Sequence, residues 1–100
     1  MNEMSKNEIL EILKTLKPRY QQDGLILVGL FGSFSRGEEK SDSDVDIVYE
    51  IEKGKTFSMF KYLKYLADLE KYLNHKVDLV RAETIKSELK PYIYKDIIYV

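Results

Sequence analysis

Asp44 and Asp46 stand two residues apart in Ser43-Asp44-Val45-Asp46-Ile47-Val48, a spacing that suits two carboxylates to one cation. In an extended segment alternate side chains share a face, so both acids leave the same side with their backbones about 7 Å apart. Paired carboxylates repel and are costly to dehydrate. Without a cation they need a solvated edge, and a divalent metal resolves the conflict. Asp78 is the only acid of Val77-Asp78-Leu79-Val80, and it could supply a third ligand if its strand pairs beside the one that carries Asp46. Ligands that are all oxygen favour magnesium or manganese over zinc. Plainer roles exist for the same residues. An acidic pair at a strand start is commonly solvated loop, and a lone acid in an apolar strand can be a buried, hydrogen-bonded structural group. Asp42-Ser43-Asp44-Val45-Asp46 also has the opening of a calcium loop, but Ile47 stands where that loop needs glycine and Lys53 where it needs a bidentate glutamate.

Gly32-Ser33 follows the apolar run Leu25 to Phe31. A glycine lets the backbone approach a phosphate closely, and a helix start beyond it offers N–H groups and a partial positive charge. Ser33 adds a hydroxyl donor. A plain turn explains a Gly-Ser pair alone. The wider order of strand, Gly-Ser, Arg36-Gly37, polar loop and then paired aspartates points to phosphate and metal together. The single histidine, His75, falls in a turn and reads as a solvated loop residue, and the lack of cysteine removes thiolate nucleophiles and sulfur-ligated zinc.

These residues need elements to position them. Ser5-Lys6-Asn7-Glu8 has the spacing of a capping box, with Met4 and Ile9 placed as a hydrophobic staple. Ile9, Leu10, Ile12, Leu13 and Leu16 then mark an apolar helical stripe, with Pro18 near its end. Leu25 to Phe31 is short enough for a buried strand, and Val45, Ile47 and Tyr49 alternate with Asp44, Asp46 and Val48 in the period of a second. Met59, Leu63, Leu66, Leu69 and Leu73 predict a helix that buries one face and closes at Asn74-His75. Tyr62, Tyr65 and Tyr72 flank that stripe, either as core edge or as a partner surface, the second being favoured. Lys61, Lys64 and Lys71 read as a solvated face. Val77 to Val80 predicts a third strand, Ile85 to Tyr94 a helix despite Pro91, Ile97 to Val100 a short last strand, and Ser33 a short turn of helix.

At 100 residues the chain suits one modest core, without room for a catalytic domain and a separate recognition domain, so one domain over residues 1–100 is expected. A hydrophobic share of 44% beside 33% charged residues excludes a disordered chain. The net charge of −1 argues against an extended nucleic-acid surface or an anionic-lipid partner. No signal peptide or bilayer-spanning run is read, so the cytoplasm is the expected location.

Gly32-Ser33-Phe34-Ser35-Arg36-Gly37 with Ser43-Asp44-Val45-Asp46-Ile47-Val48 resembles the signature of the nucleotidyltransferase superfamily typified by DNA polymerase beta. Val77-Asp78-Leu79-Val80 resembles its third acidic strand, and over about residues 8 to 100 the chain resembles, more narrowly, the minimal nucleotidyltransferase (MNT) antitoxins. The resemblance implies a small α/β domain, more strictly α+β, with a mixed β-sheet and helices packed mainly on one face. It implies that Asp44, Asp46 and Asp78 are catalytic and hold two magnesium ions, with Mn2+ an alternative. Asp78 would complete the catalytic ion and help draw the proton from the attacking hydroxyl. It implies that Gly32 and Ser33 hold the triphosphate of the incoming nucleotide and that Arg36 assists there or positions the loop. Phe34 and Ser35 fall at variable positions and take no chemical role. The resemblance further implies ATP as donor, a tyrosine of a HEPN-family ribonuclease toxin as acceptor, and a hetero-oligomer in which the chain is the antitoxin. A contact-only binding module and transfer to a small molecule such as an aminoglycoside are the alternatives.

Overall fold

The structure, a computed structural model, describes residues 4–100. It opens with helix α1, Lys6–Gln22, started by the expected capping box. The Ser5 hydroxyl accepts from the Glu8 N–H at 3.2 Å, and the Glu8 carboxylate accepts from the Ser5 N–H at 2.9 Å. Ile9 is buried, with Met4 packed against the same core. Pro18 does not end this helix, which runs another turn. A proline there forfeits a backbone bond, but the last turn carries Tyr20, which is buried and meets Tyr65 edge-on with ring centroids 4.5 Å apart.

Strand β1, Leu25–Phe31, leads through a single turn of helix, α2 (Ser33–Arg36), to β2, Val45–Ile51. Helix α3, Met59–Leu73, then returns the chain to β3, Val77–Arg81. A 3-10 turn at Ala82–Thr84, helix α4 (Lys90–Lys95) and β4 (Ile98–Tyr99) complete the path. The four strands form one mixed sheet in the order β3-β2-β1-β4, with β2 and β3 parallel and the other pairs antiparallel. Helices α1 and α3 cover one face, where Leu13, Leu16, Tyr20, Tyr65, Leu69 and Leu73 join the inward strand residues in a single core cluster.

The register of β1 against β2 shifts between Leu27 and Gly29, leaving Val28 as an extra residue. Because of that bulge Leu27 and Leu30 both face the core, and Phe31 pairs with Asp46 on the opposite face. Gly29 is needed at the same place, since a Cβ there would stand 2.7 Å from both the Ile97 side chain and the Ile98 carbonyl.

Two expectations need correction. The predicted helix Ile85 to Tyr94 begins only at Lys90, with Pro91 in its first turn, where the missing N–H is harmless. On α3 the buried face is Tyr65, Leu69 and Leu73, while Met59 and Leu63 lie exposed. The tyrosine rings bring more apolar area to the core than those two side chains would. Tyr65 is therefore core, Tyr62 donates its hydroxyl to the Leu79 carbonyl at 3.3 Å, and of the three only Tyr72 stays exposed.

Candidate active site

Period-two alternation along β2 sends Val45, Ile47 and Tyr49 to the helix-covered core and Asp46 to the other face. The parallel register then sets Asp46 directly opposite Asp78. Asp44 lies one residue before β2, in the turn secured by the Val45 N–H donating to the Lys76 carbonyl at 2.8 Å. Alternation keeps it on the side of Asp46. The sheet thus sets Asp46 and Asp78 side by side on adjacent strands, with Asp44 in the segment just before β2. Asp44 and Asp78 are exposed, which removes the reading of Asp78 as a buried structural acid, and Asp46 is half-buried.

Asp46 senses the charge of both neighbours. Burial first, and then the negative charges of Asp78 and Asp44, push the Asp46 carboxyl up to about 6 against the opposing Arg36 cation. Among the described residues no three acids or histidines stand close enough together to hold a metal ion as placed. What relates the acids is the register that pairs Asp46 with Asp78 and the effect of Asp78 and Asp44 on the Asp46 carboxyl. The chemistry of the donors, hard oxygens on a partly solvated face with one made harder to ionise by burial and then by its neighbours, is of the kind that suits a magnesium-type cation.

The turn at the end of β1 is built against this cluster. Gly32 has φ 78° and ψ −154°, a conformation reserved for glycine. A Cβ at this position would stand 2.0 Å from the Asp46 Oδ2, so glycine alone lets the turn and the carboxylate share the space. Ser33 then begins α2, where the first N–H groups of a helical turn have no partner within it. The Ser35 hydroxyl donates to the Gly32 carbonyl at 2.8 Å, beside the Arg36 N–H, which reaches the same oxygen at 3.2 Å. Phe34 is buried and meets the His75 ring edge-on at 5.3 Å, so His75 is half-buried packing rather than a solvated loop residue.

Arg36 splits between two carboxylates, with Nε 2.9 Å from Glu38 and Nη1 3.6 Å from Asp96. Glu38 above all, then Asp96, raises its pKa. Of its two anticipated roles, positioning the loop is the one these contacts favour. Sequence reasoning passed over Ser35, although a serine three residues past a glycine turn signals a side-chain bond back to the backbone. Asp96 carried no local signal, since only the folding of α4 and β4 brings it to Arg36.

The profile of the nucleotidyltransferase domain matches residues 6–100. The chain belongs to this family. Among relatives of this nucleotidyltransferase, a Methanocaldococcus jannaschii protein provisionally named protein adenylyltransferase MJ1379 is 39% identical, the match covering 94% of this chain and 96% of that one. The protein adenylyltransferase MntA of Thermococcus cleftensis is 37% identical, over 87% of this chain and 83% of its own. A solved structure, provisionally named a minimal nucleotidyltransferase, superposes over 100% of both chains with a TM-score of 0.81 at 24% identity. A toxin-antitoxin structure with AMP-PNP superposes with a TM-score of 0.66 at 25% identity, over 96% of this chain and 72% of that one. The fold is that of a minimal nucleotidyltransferase: a four-stranded mixed sheet with its main helices on one face. No described helix is long and apolar enough to cross a membrane.

Proposed function

We propose that this nucleotidyltransferase moves AMP from ATP onto a protein hydroxyl, a tyrosine of a cognate HEPN ribonuclease toxin, and so acts as the cytoplasmic antitoxin of the pair in a hetero-oligomer. The observation that carries the reading is the coupling of Asp46 to Asp78 and Asp44 beside the Gly32 turn. It is supported by relatives named as protein adenylyltransferases and by the toxin-antitoxin neighbour with its ATP analogue.

In this reading Asp44, Asp46 and Asp78 hold two magnesium ions. When bound, the metal supplies charge neutralisation on the departing pyrophosphate and alignment at the α-phosphorus. Gly32 and Ser33 hold the triphosphate through the turn, and Arg36 fixes that turn. The acceptor oxygen forms a bond to the α-phosphorus as the bond to the β-phosphate oxygen breaks, and its proton leaves by way of Asp78.

The test is incubation with labelled ATP, magnesium and the purified product of the neighbouring gene. Label enters that protein with the unaltered chain and falls by about a hundredfold or more with Asp44→Asn. Undiminished transfer by Asp44→Asn, or none by the unaltered chain, overturns the reading. Protection of cells by Asp46→Ala would assign the antitoxin effect to contact alone.

A further inference from the structure

The outward side of α3 is apolar where solvent would favour polar groups. Phe60 is 86% exposed, Met59 69% and Leu63 53%. Residues three and four apart are neighbours on a helix, so these side chains form one patch on its N-terminal half. Met59 also lines an open cavity of about 440 Å³, walled by the Tyr49, Phe57 and Tyr62 rings and by Arg81.

The exposed charges of α3 itself are all basic. Lys61, Lys64 and Lys71 are exposed, whereas the acids of α3 are engaged inward. Asp68 accepts from the Tyr20 hydroxyl and Glu70 from the Val77 N–H. Asp23, the acid whose charge Lys64 and Lys61 sense, is itself bonded by the Tyr65 hydroxyl. At the cavity, Arg81 gives Nη2 to Glu83 at 3.0 Å, but its buried Nε has no partner. A buried N–H left unpaired is costly, and the guanidinium that carries it lines the cavity, where it offers positive charge to a carboxylate.

The location suits an acceptor. β3 is an edge strand. The cavity lies by its C-terminal residues Leu79 to Arg81 and Asp78 near its N-terminal end, about 10 Å away along the strand. A protein seated on α3 reaches the acids by passing around a single open edge.

We propose that the N-terminal half of α3 and the adjoining cavity form the docking surface for the acceptor protein, taking an apolar side chain and a neighbouring carboxylate of an acidic segment of that partner. This rests on the acceptor being a protein. Phe60 and Leu63 contribute exposed area that the fold does not use, so replacing them tests docking without disturbing the core.

The experiment is titration calorimetry of the neighbouring gene's purified product against the chain in an Asp44→Asn background, with and without Phe60→Asp and Leu63→Asp. Arg81→Gln serves as an independent probe, and circular dichroism checks the helix. The double variant is expected to bind the partner at least about tenfold more weakly while ATP affinity changes by less than about twofold. In the catalytically intact chain the same pair raises KM for the protein acceptor rather than lowering kcat. Partner affinity unchanged in the folded variant, or no binding by the parent chain, overturns the docking surface. So does a self-associated parent that the double variant dissociates with partner affinity intact, since the occupant is then a second copy. Binding without label transfer overturns the adenylylation reading and leaves the docking surface standing.

Discussion

At the scale of single residues, Asp46 and Gly32 govern the site. The folded chain holds the Asp46 proton more tightly than the ordinary carboxylate value of 3.8, because burial and then Asp78 and Asp44 push it up to about 6. The sign follows from linkage. The associated stability is fully present below the unfolded value and is lost as pH rises through about 6. Asp46→Asn removes this contribution, so its Tm relative to the unaltered metal-free chain should rise between about pH 4 and about 6 and level off above that. A constant Tm difference would dispose of the coupling. Gly32→Ala combines a forbidden backbone conformation with the 2.0 Å collision against Asp46, for a loss of about 1–3 kcal/mol. In thermal melts that lowers Tm by several degrees, and label transfer falls with it because the carboxylate must move. The acids were legible because alternation and the match of motif spacing act locally. The Arg36 contact with Asp96 was not, because it joins segments distant in sequence.

At the scale of elements, periodicity and caps act differently. Helix α1 was legible at its start because the Ser5 and Glu8 bonds are local. Ser5→Ala should cost about 1 kcal/mol in urea unfolding. Helix α3 was legible in extent but not in orientation, since its core face is set by tyrosines whose hydroxyls find partners across the structure. Tyr20 donates to Asp68 and Tyr65 to Asp23, so each pair ties α1 or its end to α3. Burial and the neighbouring carboxylates push both phenols well above the ordinary tyrosine range. Asp68→Ala strands the Tyr20 hydroxyl, with an expected loss of about 1–3 kcal/mol by denaturant titration. Tyr20→Phe in the same background should recover part of it. Helix α4 was misjudged because Ile85 is buried beyond the 3-10 turn, in the manner of a helical core residue, while Pro91 fixes where the helix can begin.

Across the whole molecule, one core cluster runs from α1 through the sheet to α3. The radius of gyration is 13.1 Å, about the value for a close-packed chain of this length. A single cooperative transition, with fluorescence and circular dichroism coincident, is the expected unfolding behaviour, and separated transitions would argue for two units. The adjacency of β2 and β3, on which the acidic cluster depends, is a long-range choice that the strand patterns alone left open. The sheet presents two outer rims. On one, β4 is only two residues long, too brief to template another chain. On the other, β3 extends over five residues and would invite strand addition. Charged side chains are the usual defence against that event, and Asp78, exposed on this rim, supplies one. The carboxylate proposed for phosphoryl transfer is thus also expected to discourage edge-to-edge pairing. Asp78→Val should form thioflavin-positive aggregates at concentrations where Asp44→Asn stays monodisperse by light scattering.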